Sequence, residues 1–465
     1  MKKTTLFFLT VMISLTIYGQ DITGQWNGLL KVRGIQLRVV FNISYINNEY
    51  KSTMDSPDQG AKGIPVSSTS FADSVLKLEV AIAKIEYAGK LDKENNFTGT
   101  LKQAGQTFPL NLSKEKVEKE KLIRPQEPAK PYPYYSEEIT FENNKDKITL
   151  SGTLTLPSKE GDYPAVVLIS GSGPQNRDEE LLGHKPFLVI ADYLTKNGIA
   201  VLRFDDRGFG ESTGDFKTAT TSDFVSDVES AIKYLQSRNE IDKKKIGLIG
   251  HSEGGIIAPM VASNSYDICF IVLLAGSGIP GGELLLLQKE LIERASGVSE
   301  ADIQKGQKIN KGAFEIVRKS ATTENMTEKL KSYFKKELKE SPDTKPHDMS
   351  EEDFVNTEVT QLSSPWMQFF IKYDPAITLK HVKCPVLALN GAKDLQVPAK
   401  VNLEAIKKGL EIGGNEEITA IELPGLNHLF QECETGLPDE YSKIEQTFSP
   451  KALTEILNWI QIQVR

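Results

Sequence analysis

Hydrophobic and polar positions follow three rhythms along this chain. Between residues 21 and 113 they alternate over short stretches. Leu37, Val39, Phe41 and Ile43 are interleaved with Arg38, Asn42 and Ser44, and residues 75–80 and 108–112 repeat the habit. Polar turns stand between them at Asn47-Asn48, at Pro57 to Gly60 and at Asn95-Asn96. Short period-two strands with such turns predict a small antiparallel β-domain, a barrel or a sandwich. Residues 114–135 carry a Lys/Glu run and then Pro125, Pro128, Pro131 and Pro133, which reads as an extended linker. From 136 to 465 the rhythm changes. Residues 139–157 read as a hairpin, and the unbroken apolar runs at 165–169, 199–204, 246–250, 270–275 and 385–389 read as buried strands. Helix-compatible stretches such as 222–238 lie between them, so the fold class is α/β, a mostly parallel sheet flanked by helices. The third rhythm lies at about 281–380. There, residues 284–295, 301–319 and 327–339 have helical spacing and many Lys and Glu, and they predict a helical insertion placed as a lid.

Composition narrows the class without naming an activity. Hydrophobic residues make up 39% and charged residues 25%, the balance of a soluble globular protein. The net charge is −8 with no concentrated basic patch, which argues against a nucleic-acid partner. Residues 1–20 begin Met1-Lys2-Lys3, continue through an apolar stretch from Leu6 to Ile17, and reach Gly19-Gln20. This reads as a cleavable signal peptide, so a periplasmic or secreted protein with no transmembrane segment in the mature chain is expected. Cys269, Cys384 and Cys433 predict no structural disulfide. No His/Cys/carboxylate cluster has ligand spacing, so no metal site is expected, and the serine chemistry described below calls for no cofactor.

The candidate chemistry starts at Gly250-His251-Ser252-Glu253-Gly254, a G-x-S-x-G pattern between an apolar run and a helix-compatible segment. A serine on such a sharp turn is lifted out of the sheet, and glycines on either side make room for the turn. A hydroxyl is a weak nucleophile until a positioned base takes its proton. Of the five histidines, His184, His251, His347, His381 and His428, the last follows a short apolar run and a Pro-Gly loop, where an α/β sheet presents working residues. His251 is expected to project away from Ser252. Asp394 stands in the turn after the 385–389 run and is the candidate acid. For the oxyanion, the amide of Glu253 is one candidate donor. The amide of Ser172, with Gly173 as the alternative, is the other, in the loop after the 165–169 run. Glu253 could also offer its carboxylate to a substrate ammonium. Asp206 and Arg207 read as residues that hold nearby loops by hydrogen bonds. Trp366, Phe369 and Phe370, at the end of the insertion, either line an acyl pocket or pack the helices.

Gly171 to Asp178, the segment Asp205-Asp206-Arg207-Gly208-Phe209-Gly210-Glu211-Ser212, the elbow at 250–255 and the Asp394 and His428 loops occur in order. With these motifs the chain resembles the α/β-hydrolase superfamily. The branch it most resembles is serine-aminopeptidase-like or monoacylglycerol-lipase-like, among exported bacterial esterases with an extra N-terminal domain. Ser170-Gly171 departs from the His-Gly usual in lipase-like members. The resemblance implies a serine carboxylesterase acting on a small-molecule, lipid or glycan ester, with Ser252, Asp394 and His428 as triad. An aminopeptidase or amidase uses the same residues. A glycan- or lipid-binding protein on a hydrolase scaffold is the reading of another class.

Overall fold

The structure is a computed structural model that describes residues 21–465, except 33–34, 60, 104–105, 120–123, 266 and 346–348. Residues 1–20, read above as a signal peptide, and His347 lie outside the described residues. The chain divides into two units. One holds residues up to 120, and the other holds 121–465, with residues 33–35 counted with the second.

In the first unit two antiparallel sheets share one core. Strands β1 (Gly24–Val32), β2 (Ile35–Ile46), β3 (Glu49–Ser56) and β4 (Ala61–Pro65) form one sheet in that order. Strands β5 (Ser68–Ala72), β6 (Val75–Val80), β7 (Ile85–Leu91), β8 (Phe97–Gln103) and β9 (Gln106–Pro109) form the other. The period-two pattern decides which face is buried. Val39, Phe41 and Ile43 of β2 face Leu76, Leu78 and Val80 of β6 and Tyr87 of β7, around Trp26 and Phe97.

The second unit is built on an eight-stranded sheet. Its strands are β10 (Tyr135–Asn143), β11 (Ile148–Leu156), β12 (Tyr163–Ile169), β13 (Ala200–Phe204), β14 (Ile241–His251), β15 (Phe270–Leu274), β16 (Val386–Gly391) and β17 (Ile418–Leu423). The spatial order is β10-β11-β13-β12-β14-β15-β16-β17. The pairings of β10 with β11 and of β11 with β13 are antiparallel, and all the others are parallel. Helices α1 (Pro186–Lys196), α2 (Thr221–Ser237) and α3 (Gly254–Ala262) follow β12, β13 and β14. Ala165, Val167 and Ile169 pack toward α2 and α3 on one face. Val166 and Leu168 pack toward α1 on the other, which is why the strand is apolar at every position.

Between β15 and β16 the chain inserts α4 (Gly281–Ala295), α5 (Glu300–Lys319), α6 (Thr323–Glu340), α7 (Glu351–Leu362), α8 (Pro365–Lys372) and α9 (Pro375–Leu379). The insertion has its own core, including Phe314, Val317, Leu330, Phe334, Val359 and Met367. Helix α7 was not predicted. It is short and polar, and its Ser350 cap, which accepts from the amide of Asp353, is a local signal for its start. After β16 come α10 (Ala399–Ile412), α11 (Pro438–Tyr441) and α12 (Pro450–Gln463), the last packed beside α1.

The stretch read as an extended linker is pinned over its second half. Arg124 donates to the carbonyls of Leu182, Gly183, Ser442 and Ile444 at 2.6–3.2 Å. Gln126 bonds the main chain of Thr447 and Phe448. A guanidinium has five N–H donors in a fixed fork, which suits it to gathering carbonyls from several loops. The anchoring depends on contacts about 320 residues away in sequence. No helix among the described residues is long and apolar enough to cross a membrane.

Candidate active site

The elbow is built from close backbone approaches. Strand β14 ends at His251, and Ser252 takes φ 52°, the left-handed region that L-residues other than Gly rarely adopt. The flanking glycines are required by space. A Cβ at Gly250 would stand 2.0 Å from the carbonyl oxygen of Gly254, and one at Gly254 would stand 2.1 Å from that of Ile169. Ser252 is half-buried and its amide donates to Leu274 at the end of β15. Helix α3 starts two residues later, with its N-terminus at the turn.

Asp394 and His428 meet. Nδ1 of His428 lies 2.8 Å from Oδ2 of Asp394, and both residues are buried. The other carboxylate oxygen accepts the amides of Gln396 and Val397, each at 2.8 Å, which fixes the carboxylate plane. A carboxylate that accepts a hydrogen bond from Nδ1–H leaves Nε2 as the lone-pair nitrogen of a neutral ring. The two loops approach closely because Gly391 ends β16. A Cβ there would stand 2.3 Å from the carbonyl oxygen of Leu426. The His428 loop is held from behind by Asn427, whose side chain bonds Gln431 and the amide of Leu429. Gln431 in turn reaches buried His184, which also contacts Thr447 and the carbonyl of Tyr441. Among the described residues, neither Oγ of Ser252 nor Nε2 of His428 has a hydrogen-bond partner. Catalytic hydrogen bonds are often loose until substrate is bound.

His251 packs against the His428 loop. Its ring centroid is 4.9 Å from that of His428, and its Nε2 lies 3.0 Å from the His428 carbonyl oxygen. Nothing local to the elbow in the sequence indicates this contact with His428.

Around the oxyanion candidates, the amide of Gly171 is already engaged, donating to Glu179 at 2.7 Å. The amides of Ser172, Gly173 and Glu253 have no acceptor among the described residues. The loop is held by Asp206, which accepts from Oγ of Ser170 at 2.7 Å and from the amide of Gln175 at 2.8 Å. Burial, together with the carboxylates of Glu253 and Glu179, raises the Asp206 pKa to about 8, although both hydrogen bonds pull it down. Arg207 does not pair with Asp206. It bridges Asp227 and Asp146, each at 2.7 Å.

The Glu253 side chain is turned inward. Its Oε1 accepts from Oγ1 of Thr221 at 2.6 Å and from Nε1 of Trp366 at 2.7 Å, and burial raises its pKa. This carboxylate was the candidate for a substrate ammonium, and its Oε1 is here engaged within the protein. Trp366 is thereby tied to the elbow, and its ring stacks on Phe370 at 5.0 Å. Phe370 packs with Ile256 of α3, Leu284 of α4 and Val397 of the Asp394 loop. Phe369 stacks instead on Tyr373, at the edge of that cluster.

Known proteins bear on this arrangement. A family model described as serine aminopeptidase, S33, matches residues 186–294. Esterase EstD of Thermotoga maritima is 29% identical over 335 residues, covering 70% of this chain and 69% of that one. Among solved structures, esterase Pf2001 of Pyrococcus furiosus is 16% identical, with a TM-score of 0.44, over 75% of this chain and all of that one. The α/β hydrolase GrgF of Penicillium is 15% identical, also with a TM-score of 0.44, over 71% of this chain and 99% of that one. The sheet order and the strand–elbow–helix passage at Ser252 give the second unit an α/β-hydrolase fold, beside an N-terminal antiparallel β-unit, and the chain is similar to the serine aminopeptidase family over residues 186–294 and to an esterase over 335 residues.

Proposed function

We propose that this protein is a serine-type carboxylesterase. Oγ of Ser252 attacks the ester carbonyl carbon and its proton passes to Nε2 of His428. Asp394 holds the ring in the required tautomer and stabilises its charged form. The amides of Glu253 and of Ser172, or alternatively Gly173, receive the oxyanion. The alcohol leaves with the proton from His428, and water then releases the acid from the acyl-enzyme by the same steps. The observation that carries this reading is the 2.8 Å contact of His428 Nδ1 with a carboxylate already fixed by two amides. The relationship to esterase EstD supports an ester as substrate.

The serine-aminopeptidase match favours a second reading, cleavage of an aminoacyl amide by the same residues. The inward-turned Glu253 speaks against it, since that carboxylate was the nearby candidate for holding a substrate ammonium. The insertion from α4 to α8 acts as the lid, with Trp366 and Phe370 forming a wall of the acyl pocket. The composition of residues 1–20 supports export.

The test compares p-nitrophenyl acetate and butyrate with aminoacyl p-nitroanilides on the purified protein. Ester turnover that falls by roughly 10^4–10^6-fold in Ser252→Ala is expected. Turnover of anilides alone establishes the amidase reading. Ester turnover that survives in Ser252→Ala rejects the mechanism.

A further inference from the structure

Behind the elbow lies a second histidine–carboxylate pair that the proposed reaction does not use. His251 and Glu179 are both buried, and Nδ1 of the ring lies 2.9 Å from Oε1 of the carboxylate. The other ring nitrogen, Nε2, lies 3.0 Å from the carbonyl oxygen of His428. A carboxylate and a carbonyl are both acceptors, so a ring that satisfies both carries a proton on each nitrogen. Burial opposes that charged form, but Glu179 more than offsets it, with smaller help from the His428 carbonyl and Asp394, and the pKa of His251 is raised. The same Oε1 of Glu179 accepts the amide of Gly171 at 2.7 Å. One carboxylate oxygen therefore ties the root of the oxyanion loop to the elbow imidazole, which in turn ties the main chain of His428.

The backbone supplies an independent observation. Glu179 has φ 50°, in the left-handed region, and its amide is fixed by the carbonyl of Asn176 at 2.8 Å. An ordinary residue keeps that conformation only where its surroundings over-determine it. The turn therefore directs this carboxylate inward from a segment that is otherwise rich in exposed charge.

We propose that Glu179 and His251 are positioning residues for acyl transfer, a strut that keeps the base loop and the oxyanion loop aligned on Ser252. The inference rests on the serine-esterase reading above. Neither residue touches the reacting atoms. Their effect is on where the His428 ring and the Ser172 and Gly173 amides stand when the tetrahedral intermediate forms.

The experiment measures kcat and KM for p-nitrophenyl butyrate on the full chain, with kcat taken per active site titrated by a fluorophosphonate. Glu179→Ala is expected to lower kcat per titrated site by roughly 10–100-fold with KM within about threefold, the signature of misplaced groups rather than of lost folded protein. Glu179→Gln keeps an acceptor at Oε1 for both the Gly171 amide and His251, and restores most of the loss. The double variant with His251→Ala falls no further than the worse single variant, because the two act as one unit. Should Glu179→Ala not fold, His251→Phe decides by the same kcat criterion. An undiminished kcat per titrated site in Glu179→Ala, or in His251→Phe where that one decides, overturns the inference. A wild-type protein with no ester turnover and no titratable Ser252 overturns the reaction itself, a separate outcome.

Discussion

A single methyl group placed on Gly254 tests how tightly the elbow is built. The alanine Cβ would stand 2.1 Å from the carbonyl oxygen of Ile169, 2.8 Å from its carbonyl carbon and 2.9 Å from the carbonyl oxygen of Ser170. Ordinary contact begins near 3.4 Å, and all three neighbours are backbone, so no side chain can swing aside. Either the end of β12 or the start of α3 must retreat by roughly 1 Å in an interior packed like a crystal. Ile169 is paired in register with Gly250 and runs directly into the Ser170–Gly173 loop. The retreat therefore separates the Glu253 amide from the Ser172 and Gly173 amides. A misplacement of about 1 Å costs roughly 100-fold in rate. That factor corresponds to about 2.7 kcal/mol of barrier. Overpacking adds about 1–3 kcal/mol of lost stability. The assay is kcat for p-nitrophenyl butyrate per titrated site, with urea unfolding followed by circular dichroism. Gly306→Ala is the contrasting change. Gly306 lies inside α5, where a Cβ meets only the Lys289 side chain at 3.6 Å. It should gain about 0.8–1 kcal/mol with kcat unchanged. A Gly254→Ala protein with wild-type kcat and wild-type stability would refute the claim that these backbones are locked together at the site.

Three further outcomes are expected. Asp394→Asn keeps an acceptor for the Gln396 and Val397 amides but cannot select the Nδ1–H tautomer of His428, so kcat falls by roughly 10^3–10^4-fold while the urea midpoint hardly moves. Unchanged turnover would remove Asp394 from the mechanism. Burial, and then the nearby Arg124 charge, lower the His184 pKa to about 4. The unfolded ring, with its ordinary pKa near 6.5, binds a proton first as pH falls, so stability is full above about pH 6.5 and is lost toward pH 4, by up to about 3 kcal/mol. His184→Gln should flatten the fall in thermal midpoint between pH 7 and pH 4.5, and an unaltered slope would show that other groups set it. Trp366→Phe removes the indole N–H from buried Glu253, which should cost about 1–3 kcal/mol in urea unfolding and raise kcat/KM for octanoate relative to acetate. An unchanged chain-length profile would exclude Trp366 from the acyl pocket.

The α/β sheet was readable because buried parallel strands are apolar at every position, and 165–169, 246–250 and 385–389 are such runs. The antiparallel unit was readable for the opposite reason, a stretch of alternation within strands such as β2 and β6. Chain order could be read for Ser252, Asp394 and His428, and so could the strand before each. Their surroundings could not. Glu179 stands in an acidic run that looks solvated, yet a left-handed turn buries it. Glu253 and Trp366 are 113 residues apart in sequence and joined by one hydrogen bond that no periodicity encodes. Helix α7 was missed although Val355, Val359 and Leu362 stand at helical spacing, because its first turn of three acidic residues reads as a solvated loop.

The anchoring of Arg124 also bears on where the second unit can be cut. A shortened clone opening at the first strand of the large sheet would retain Ser252, Asp394 and His428 and look complete by motif. It would nonetheless strip the donor from four carbonyls on the 182–183 and 442–444 segments, which flank the His184 network behind the base. Weak turnover from such a fragment would then report a missing fastener, and would say nothing about a need for the β-unit in catalysis. Cutting upstream of residue 124 separates those two causes.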